Sequence, residues 1–175
     1  CWGLNDNAQA GQLSATPRIA VPTVMNGSWN AMNVGEYSTC AIDLTNRVQC
    51  FGNNTYGGLG DGGTLSREVP ALVMLPAGSY PQVATGTFYA CAAGNPMYCW
   101  GYNEFGNLGN QTVLGAVIPS PVPGDWISVD TGTRHTCAIK RDHTLWCFGA
   151  NNFGQVGDAS FIDHHSPTQV GTDMD

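Results

Sequence analysis

Seven cysteines are the residues of this chain best placed to do chemistry, and the chemistry is oxidation to disulfides. Six fall in pairs, Cys40/Cys50, Cys91/Cys99 and Cys137/Cys147, separated by ten, eight and ten residues. Each pair brackets two short strand-like stretches around a turn centred on Thr45, Asn95 or Asp142. An even separation about an odd-numbered turn puts both thiols on one sheet face, directly opposite each other and within bridging reach. Closing so short a loop stabilises a fold by roughly 2–3 kcal/mol in the chain-entropy account. Three such pairs point to an oxidising compartment, so the chain is expected to be secreted or on the cell surface. The alternative is free thiols buried in a cytosolic repeat. A zinc site fits less well, because its ligands usually come as C-x₂₋₄-C. Cys1 has no partner in this pattern and is expected to be unpaired within the chain.

Other chemistry is poorly supplied. The histidines are His135, His143, His164 and His165. His164 and His165 stand beside Asp163, yet neighbours on a strand point to opposite faces, and no third ligand accompanies them. They are expected in a solvated loop. Asp61 and Asp158 recur at one position of the Asn/Gly-rich loops, but the alternating ligands of an EF-hand type calcium loop are missing. Neither a nucleophile elbow nor a Gly-rich phosphate loop followed by Lys-Ser/Thr occurs. The chain is therefore expected not to be an enzyme, and to need no cofactor or metal. Three sequons, Asn26-Gly-Ser28, Asn53-Asn-Thr55 and Asn110-Gln-Thr112, are candidate N-glycan acceptors in a eukaryotic secreted chain.

The elements that must position these groups repeat. The second cysteines stand at 50, 99 and 147, and Cys1-Trp2-Gly3 opens the chain at the same phase. Steps of 49, 49 and 48 residues are a repeat architecture. Each copy carries a Trp or Tyr six residues before a glycine, as Trp29…Gly35, Tyr80…Gly86 and Trp126…Gly132, with the first cysteine five residues on. The second cysteine leads into a loop of the form Gly-x-Asn-x-x-Gly-x-Leu/Val-Gly, starting at Gly52, Gly101 and Gly149. There glycine supplies φ > 0 and Asn bonds the local backbone. The first loop departs from this form, with Ala8 and Ala10 in place of the glycine and the apolar residue, and is expected to be looser. A proline-bearing stretch follows each loop and suits an outer edge strand, since proline cannot donate to a ladder.

With 23 glycines, only 11% charged residues and no apolar stripe at helical spacing, the chain reads as all-β. Four short strands per repeat is the size of one propeller blade. The expected fold is a β-propeller segment of about three and a half four-stranded antiparallel blades, with repeats at 1–49, 50–98, 99–146 and a truncated 147–175. Ile42, Leu44, Val48, Val83, Val129, Ile139 and Leu145 should pack between blades with Trp29, Trp100, Trp126 and Trp146. A net charge of −7 with six Lys and Arg argues against a nucleic-acid partner. No apolar run approaches the ~20 residues of a membrane span.

The motif Trp/Tyr-x-x-Val-x-x-Gly-x-x-x-Thr/Ala-Cys-Ala-Ile, then x-Cys-Trp/Phe-Gly-x-Asn-x-x-Gly-x-Leu-Gly, resembles the regulator of chromosome condensation repeat family, in a cysteine-paired variety. The resemblance covers essentially the whole chain. It implies a seven-bladed ring of roughly twice this length. The native polypeptide is accordingly expected to extend in both directions, with a cysteine about ten residues before Cys1 that bonds to it. Fold does not fix function. The family's namesake is an exchange factor for a small nuclear GTPase, a role that paired cysteines and acidic charge argue against. Plant relatives sense light through tryptophan clusters, whereas Trp2, Trp29, Trp100, Trp126 and Trp146 hold ordinary repeat positions. Extracellular relatives imply a structural, scaffolding or recognition module with protein partners, possible copies of itself among them. A secreted inhibitor that grips an enzyme with its loop rim is the alternative.

Overall fold

Short β-branched and aromatic runs between glycine and proline punctuation leave no room for helices, and strands account for the regular structure. The computed structural model describes residues 1–12 and 17–171, and among them there is no helix. The strands are β1 (Gly3–Leu4), β2 (Arg18–Ile19), β3 (Trp29–Val34), β4 (Ser38–Asp43), β5 (Val48–Gly52), β6 (Arg67–Leu72), β7 (Val83–Thr85), β8 (Tyr89–Ala92), β9 (Met97–Gly101), β10 (Ala116–Val122), β11 (Trp126–Thr131), β12 (His135–Lys140), β13 (Leu145–Gly149) and β14 (His164–Gln169). They form one two-stranded sheet, β1-β2, and three four-stranded meanders in chain order, β3 to β6, β7 to β10 and β11 to β14. All pairings are antiparallel. Each four-stranded sheet is a blade that begins near the aromatic residue. The sequence period, which begins at the cysteine strand, therefore straddles two blades, and the partial blade is the one containing β1 and β2.

The three bridges form as the spacing requires. Cys40 faces Cys50, Cys91 faces Cys99 and Cys137 faces Cys147 in register, and each pair is disulfide-bonded. Two of the turns use a left-handed residue, Asn46 and His143, as three-residue hairpin loops do. Asp43 holds its turn by accepting from the backbone N–H groups of Thr45 and Arg47 and from the Thr45 hydroxyl.

What each bridge packs against is a tertiary matter. The bridge face of one blade is covered by the next blade. Cys40, Ile42, Val48 and Cys50 pack with Val83, Ala90, Ala92 and Trp100. One blade on, Cys91, Met97 and Cys99 pack with Val129, Ala138 and Phe148. Each large aliphatic or aromatic side chain buried here contributes about 1.5–3 kcal/mol. The repeated Trp or Tyr at or just before the start of the first strand meets a residue of the third strand edge-on, as in Tyr80–Tyr98 and Trp126–Trp146, with ring centroids 6.1 and 6.5 Å apart.

The expected core needs correction at its edges. Leu44 is exposed, because it lies in the β4–β5 turn beyond the last cross-strand pair. Leu145 is exposed and Ile139 half-buried, because among the described residues no blade follows to cover the bridge face of the third one. Trp29 and Trp146 are half-buried, whereas Trp100 and Trp126 are fully buried.

Candidate functional site: an aromatic loop face

The loops at one end of the blades are held by a buried asparagine in each. Asn54 donates from Nδ2 to Asp61 Oδ1, Gly63 O and Leu65 O, and its Oδ1 accepts from Leu59 N. Asn103 does the same towards Asn110, Thr112, Leu114 and Leu108. Asn151 repeats it with Asp158, Ser160 and Val156. Asn5 holds the first loop through Ala10 N and Gln12 O. Over its described residues, up to Gln12, that loop keeps the form of the others, and the rest of it lies outside the described residues. Ala8 takes φ 60° where Gly57, Gly106 and Gly154 stand, and the turn bonds Ala8 N to Asn5 O and Gly11 N to Ala8 O are kept.

The aspartates once suggestive of calcium face N–H donors instead. Asp61 accepts from Asn54, from Gly63 N and from Arg67. Asp158 accepts from Asn151, from Ser160 N and the Ser160 hydroxyl, and lies 2.7 Å from His164 Nε2. His164 is thus a strand residue fixed to a loop, not part of a solvated one, and its Nδ1 is 3.0 Å from Thr168 Oγ1. His165 points the other way, against Gly106 of the preceding blade. His135 is half-buried, and desolvation holds its imidazole below the ordinary value. No three His, Cys, Asp or Glu converge among the described residues.

The donors around Asp158, the Ser160 backbone N–H foremost, hold its carboxyl at about 2, below the ordinary 3.8. A depressed folded-state value stabilises the fold above the unfolded-state value, and that contribution is lost as pH falls through the folded one. Stability should therefore decline between about pH 4 and pH 2. Asp158→Asn keeps the shape and should flatten that decline in urea titrations run from pH 6 to pH 2. An unchanged acid limb would show that Asp158 contributes nothing to it.

Two residues after Asn54, Asn103 and Asn151, and two after each glycine of the Gly35, Gly86 and Gly132 set, a large side chain turns outward. Together they make a continuous strip across the blades. Tyr37 stacks on Phe88 with centroids 4.8 Å apart, and Tyr56 meets Phe88 at 5.0 Å and Tyr102 at 5.3 Å. Tyr102 meets Phe105 at 6.3 Å, and the Arg134 guanidinium lies 4.8 Å over the Phe105 ring. Tyr56 is 47% exposed, and Phe153, the equivalent in the next loop, 83%. Backbone bonds fix the spacing, since Asn53 N, Tyr102 N and Ala150 N donate to Tyr37 O, Phe88 O and Arg134 O. Exposed Asp6, Glu36 and Glu104 make the strip mainly acidic. Desolvation, then the hydrogen bond to Glu104 at 2.5 Å, pushes the Tyr102 phenol up to about 12, and Glu36 raises Tyr37. Both remain hydrogen-bond donors at neutral pH. The sequence reading missed this strip, although the recurring aromatic two residues after Asn was the available signal.

The sequons differ in setting. Asn26 is exposed in the loop before β3. Asn53 is half-buried and donates to Asn7 Oδ1, while Asn110 is half-buried and braces its own loop, donating to Ser120 and accepting from Asn103. Cys1 is unbridged, and its Sγ lies 3.2 Å from Met25 Sδ. Among the described residues no helix is long and apolar enough to cross a membrane.

Models of the Regulator of chromosome condensation (RCC1) repeat match residues 30–57 and 126–155 in one form and 96–139 in another, together about half of the chain. No curated protein sequence matches it significantly. Among solved structures, Prp20p from Saccharomyces cerevisiae superposes with a TM-score of 0.83 at 16% identity, over 97% of this chain and 45% of that one. Human WBSCR16 superposes with a TM-score of 0.86 at 19% identity, over 97% and 47%. The chain thus spans less than half the length of these propellers. The Prp20p structure was described together with binding to Gsp1p and histones, and another structure shows yeast RCC1 (Prp20) bound to Kap60.

Proposed function

The chain belongs to the regulator of chromosome condensation repeat family, and from that premise we propose that it is a non-enzymatic, extracellular recognition module that binds a protein partner through its aromatic loop face. The observation that carries this reading is the strip from Tyr37 to Arg134, which is ring-lined and exposed at Tyr56, with exposed Phe153 at the equivalent position of the next loop. Aromatic side chains offer large contact area at small entropic cost, and binding hot spots are rich in them. Three disulfides support an oxidising compartment. Propeller relatives that engage protein partners support a protein ligand as well. In a eukaryotic secretory pathway Asn26 is the sequon we expect to carry a glycan, because its side chain is free of the loop bracing that occupies Asn53 and Asn110.

The test is site-specific photo-crosslinking in native extracellular material. A photoreactive residue at position 56 or 153 should yield one discrete adduct, and one at Asn46 on the opposite rim should not. Tyr56→Ala with Phe153→Ala should weaken binding of that partner at least about tenfold while leaving the melting temperature nearly unchanged. Equal labelling at both rims would overturn the assignment.

A second reading, a self-assembling unit of a surface fibre or matrix, is favoured by one observation. Leu65, Leu114 and Ile162 hold the same position in successive blades and are 75%, 73% and 72% exposed. Ordered arrays in electron micrographs of native material would favour assembly over the loop-face reading, and dispersed particles would count against it.

A further inference from the structure

The aromatic strip carries carboxylates that no basic side chain neutralises. Asp6, Glu36 and Glu104 are exposed along it, and none is in an ion pair among the described residues. The aspartates inside the loops differ, since Asp61 is held by Arg67 and Asp158 lies against His164. The strip's acids stand beside its rings. Glu104 Oε2 accepts from the Tyr102 hydroxyl at 2.5 Å, and the Glu36 carboxylate lies against the Tyr37 phenol, with the charge of Asp6 nearby. Between Tyr37 and Tyr102 lie Phe88 and Tyr56. The centre of the strip is therefore a ring surface with a carboxylate to either side.

The chain itself shows what such a surface accepts. Arg134 holds the position of Phe88, two residues after the blade's glycine, and Phe105 holds the loop position of Tyr56. In one step between blades Phe88 meets the Tyr56 ring at 5.0 Å. In the next the Arg134 guanidinium takes that place, 4.8 Å over the Phe105 ring. A planar guanidinium and an aromatic ring thus serve alike at this repeat position, because both stack on the negative face of a ring. Arg134 is one cation against three carboxylates, so the strip keeps a negative excess. That excess flanks the ring pair that has no guanidinium of its own, and Tyr56, 47% exposed, is its open floor.

We infer that the loop face recognises an arginine-bearing protein segment, whose guanidinium seats on Tyr56 between Phe88 and Tyr102, with Glu36 and Glu104 to either side. The inference rests on the loop-face reading and gives its partner a chemistry. Arginine suits this seat better than lysine. Its flat, weakly hydrated head stacks on a ring while its N–H fork reaches a carboxylate, whereas an ammonium is a strongly hydrated point charge. Glu104 has an oxygen to offer, because the Tyr102 hydroxyl takes Oε2 and Oε1 has no partner among the described residues. The flanking acids also steer a cationic partner onto the strip, an attraction that salt weakens.

The probe is the peptide acetyl-Gly-Ser-Gly-Arg-Gly-Ser-Gly-amide, with lysine or citrulline in place of the arginine as controls. Citrulline keeps the planar shape and removes the charge. The full chain with its three bridges is titrated, and its aromatic ring resonances are followed by NMR. Tyr56, Phe88 and Tyr102 should shift saturably with the arginine peptide, at least about threefold tighter than with lysine and about tenfold tighter than with citrulline. Glu104→Gln should weaken binding at least about threefold, whereas Asp142→Asn on the opposite rim should not. Arg134→Ala should strengthen binding, because Phe105 then offers a second seat, and Arg141→Ala, the same charge change on the opposite rim, should not. All four side chains are exposed, so the variants should fold, which retained melting temperatures will verify. Equal binding of the three peptides, or no effect of Glu104→Gln, would overturn the inference. A photo-adduct at position 56 to a partner segment without arginine would overturn it and leave the loop-face reading standing. Arginine-selective binding with no adduct in native material would support the seat and count against that reading.

Discussion

Gly86→Ala should be among the most damaging single-methyl additions in the chain, costing about 3 kcal/mol or preventing folding. A Cβ there would overlap the Tyr89 ring and lie 2.8 Å from Gly132 O of the next blade. Neither obstacle can yield. Tyr89 is fully buried, and its hydroxyl donates to His135 O while Thr136 Oγ1 lies 3.1 Å from it. Burial also raises its phenol well above the ordinary value, which keeps that donor proton in place. Gly132 O is backbone. Gly35 makes the same approach one blade earlier, where a Cβ would lie 2.6 Å from Gly86 O. None of the three glycines has a positive φ, so the substitution isolates close approach from backbone strain. Gly63→Ala is the control, since its Cβ would meet only Asp61 Oδ1 at an ordinary 3.6 Å. Urea unfolding should separate the two variants by several-fold in cost. Equal stabilities would mean that the blades are not packed at this point as described.

Asn103→Ala should cost a similar amount, about 3 kcal/mol, through a different mechanism. The side chain is 1% exposed and supplies both amide hydrogens and its oxygen to the loop. Alanine leaves Leu108 N and the carbonyls of Thr112 and Leu114 without that partner. Asn103→Asp is the sharper test, because it keeps volume and acceptor but replaces the donor with a second acceptor facing carbonyl oxygens. That environment raises the carboxyl's folded-state value, so the protonated form is favoured on folding. The variant should therefore regain stability as pH falls from 7 towards 5, while the parent chain does not. A variant with no such acid recovery would show that Nδ2 contributes little.

Much of the local structure was legible in the residues. Paired cysteines ten and eight residues apart fix a hairpin register, because side chains alternate with period two and any slip parts the thiols. The turn centres at Thr45, Asn95 and Asp142 follow from the same arithmetic. The Asn of each loop could be read as a backbone-bonding residue, but not as a buried brace reaching eleven residues along the chain, from Asn54 to Leu65. The aromatic strip stayed hidden because Tyr56 and Phe88 are 32 residues apart and belong to different blades, so only the stacking of blades brings their rings together.

The 49-residue period, the strand content and the pairing of the bridges were determined by the sequence alone, since each depends on neighbours close along the chain. Which face is core was decided by the tertiary structure. Ile42 and Leu145 sit in equivalent hairpins, yet one is buried and the other exposed, because only the first hairpin has a blade laid over it. The repeated glycines make the same point. Gly35, Gly86 and Gly132 look like turn residues in the sequence, but Gly35 and Gly86 are required by the backbone carbonyl of the following blade, a contact that exists only once the blades are stacked.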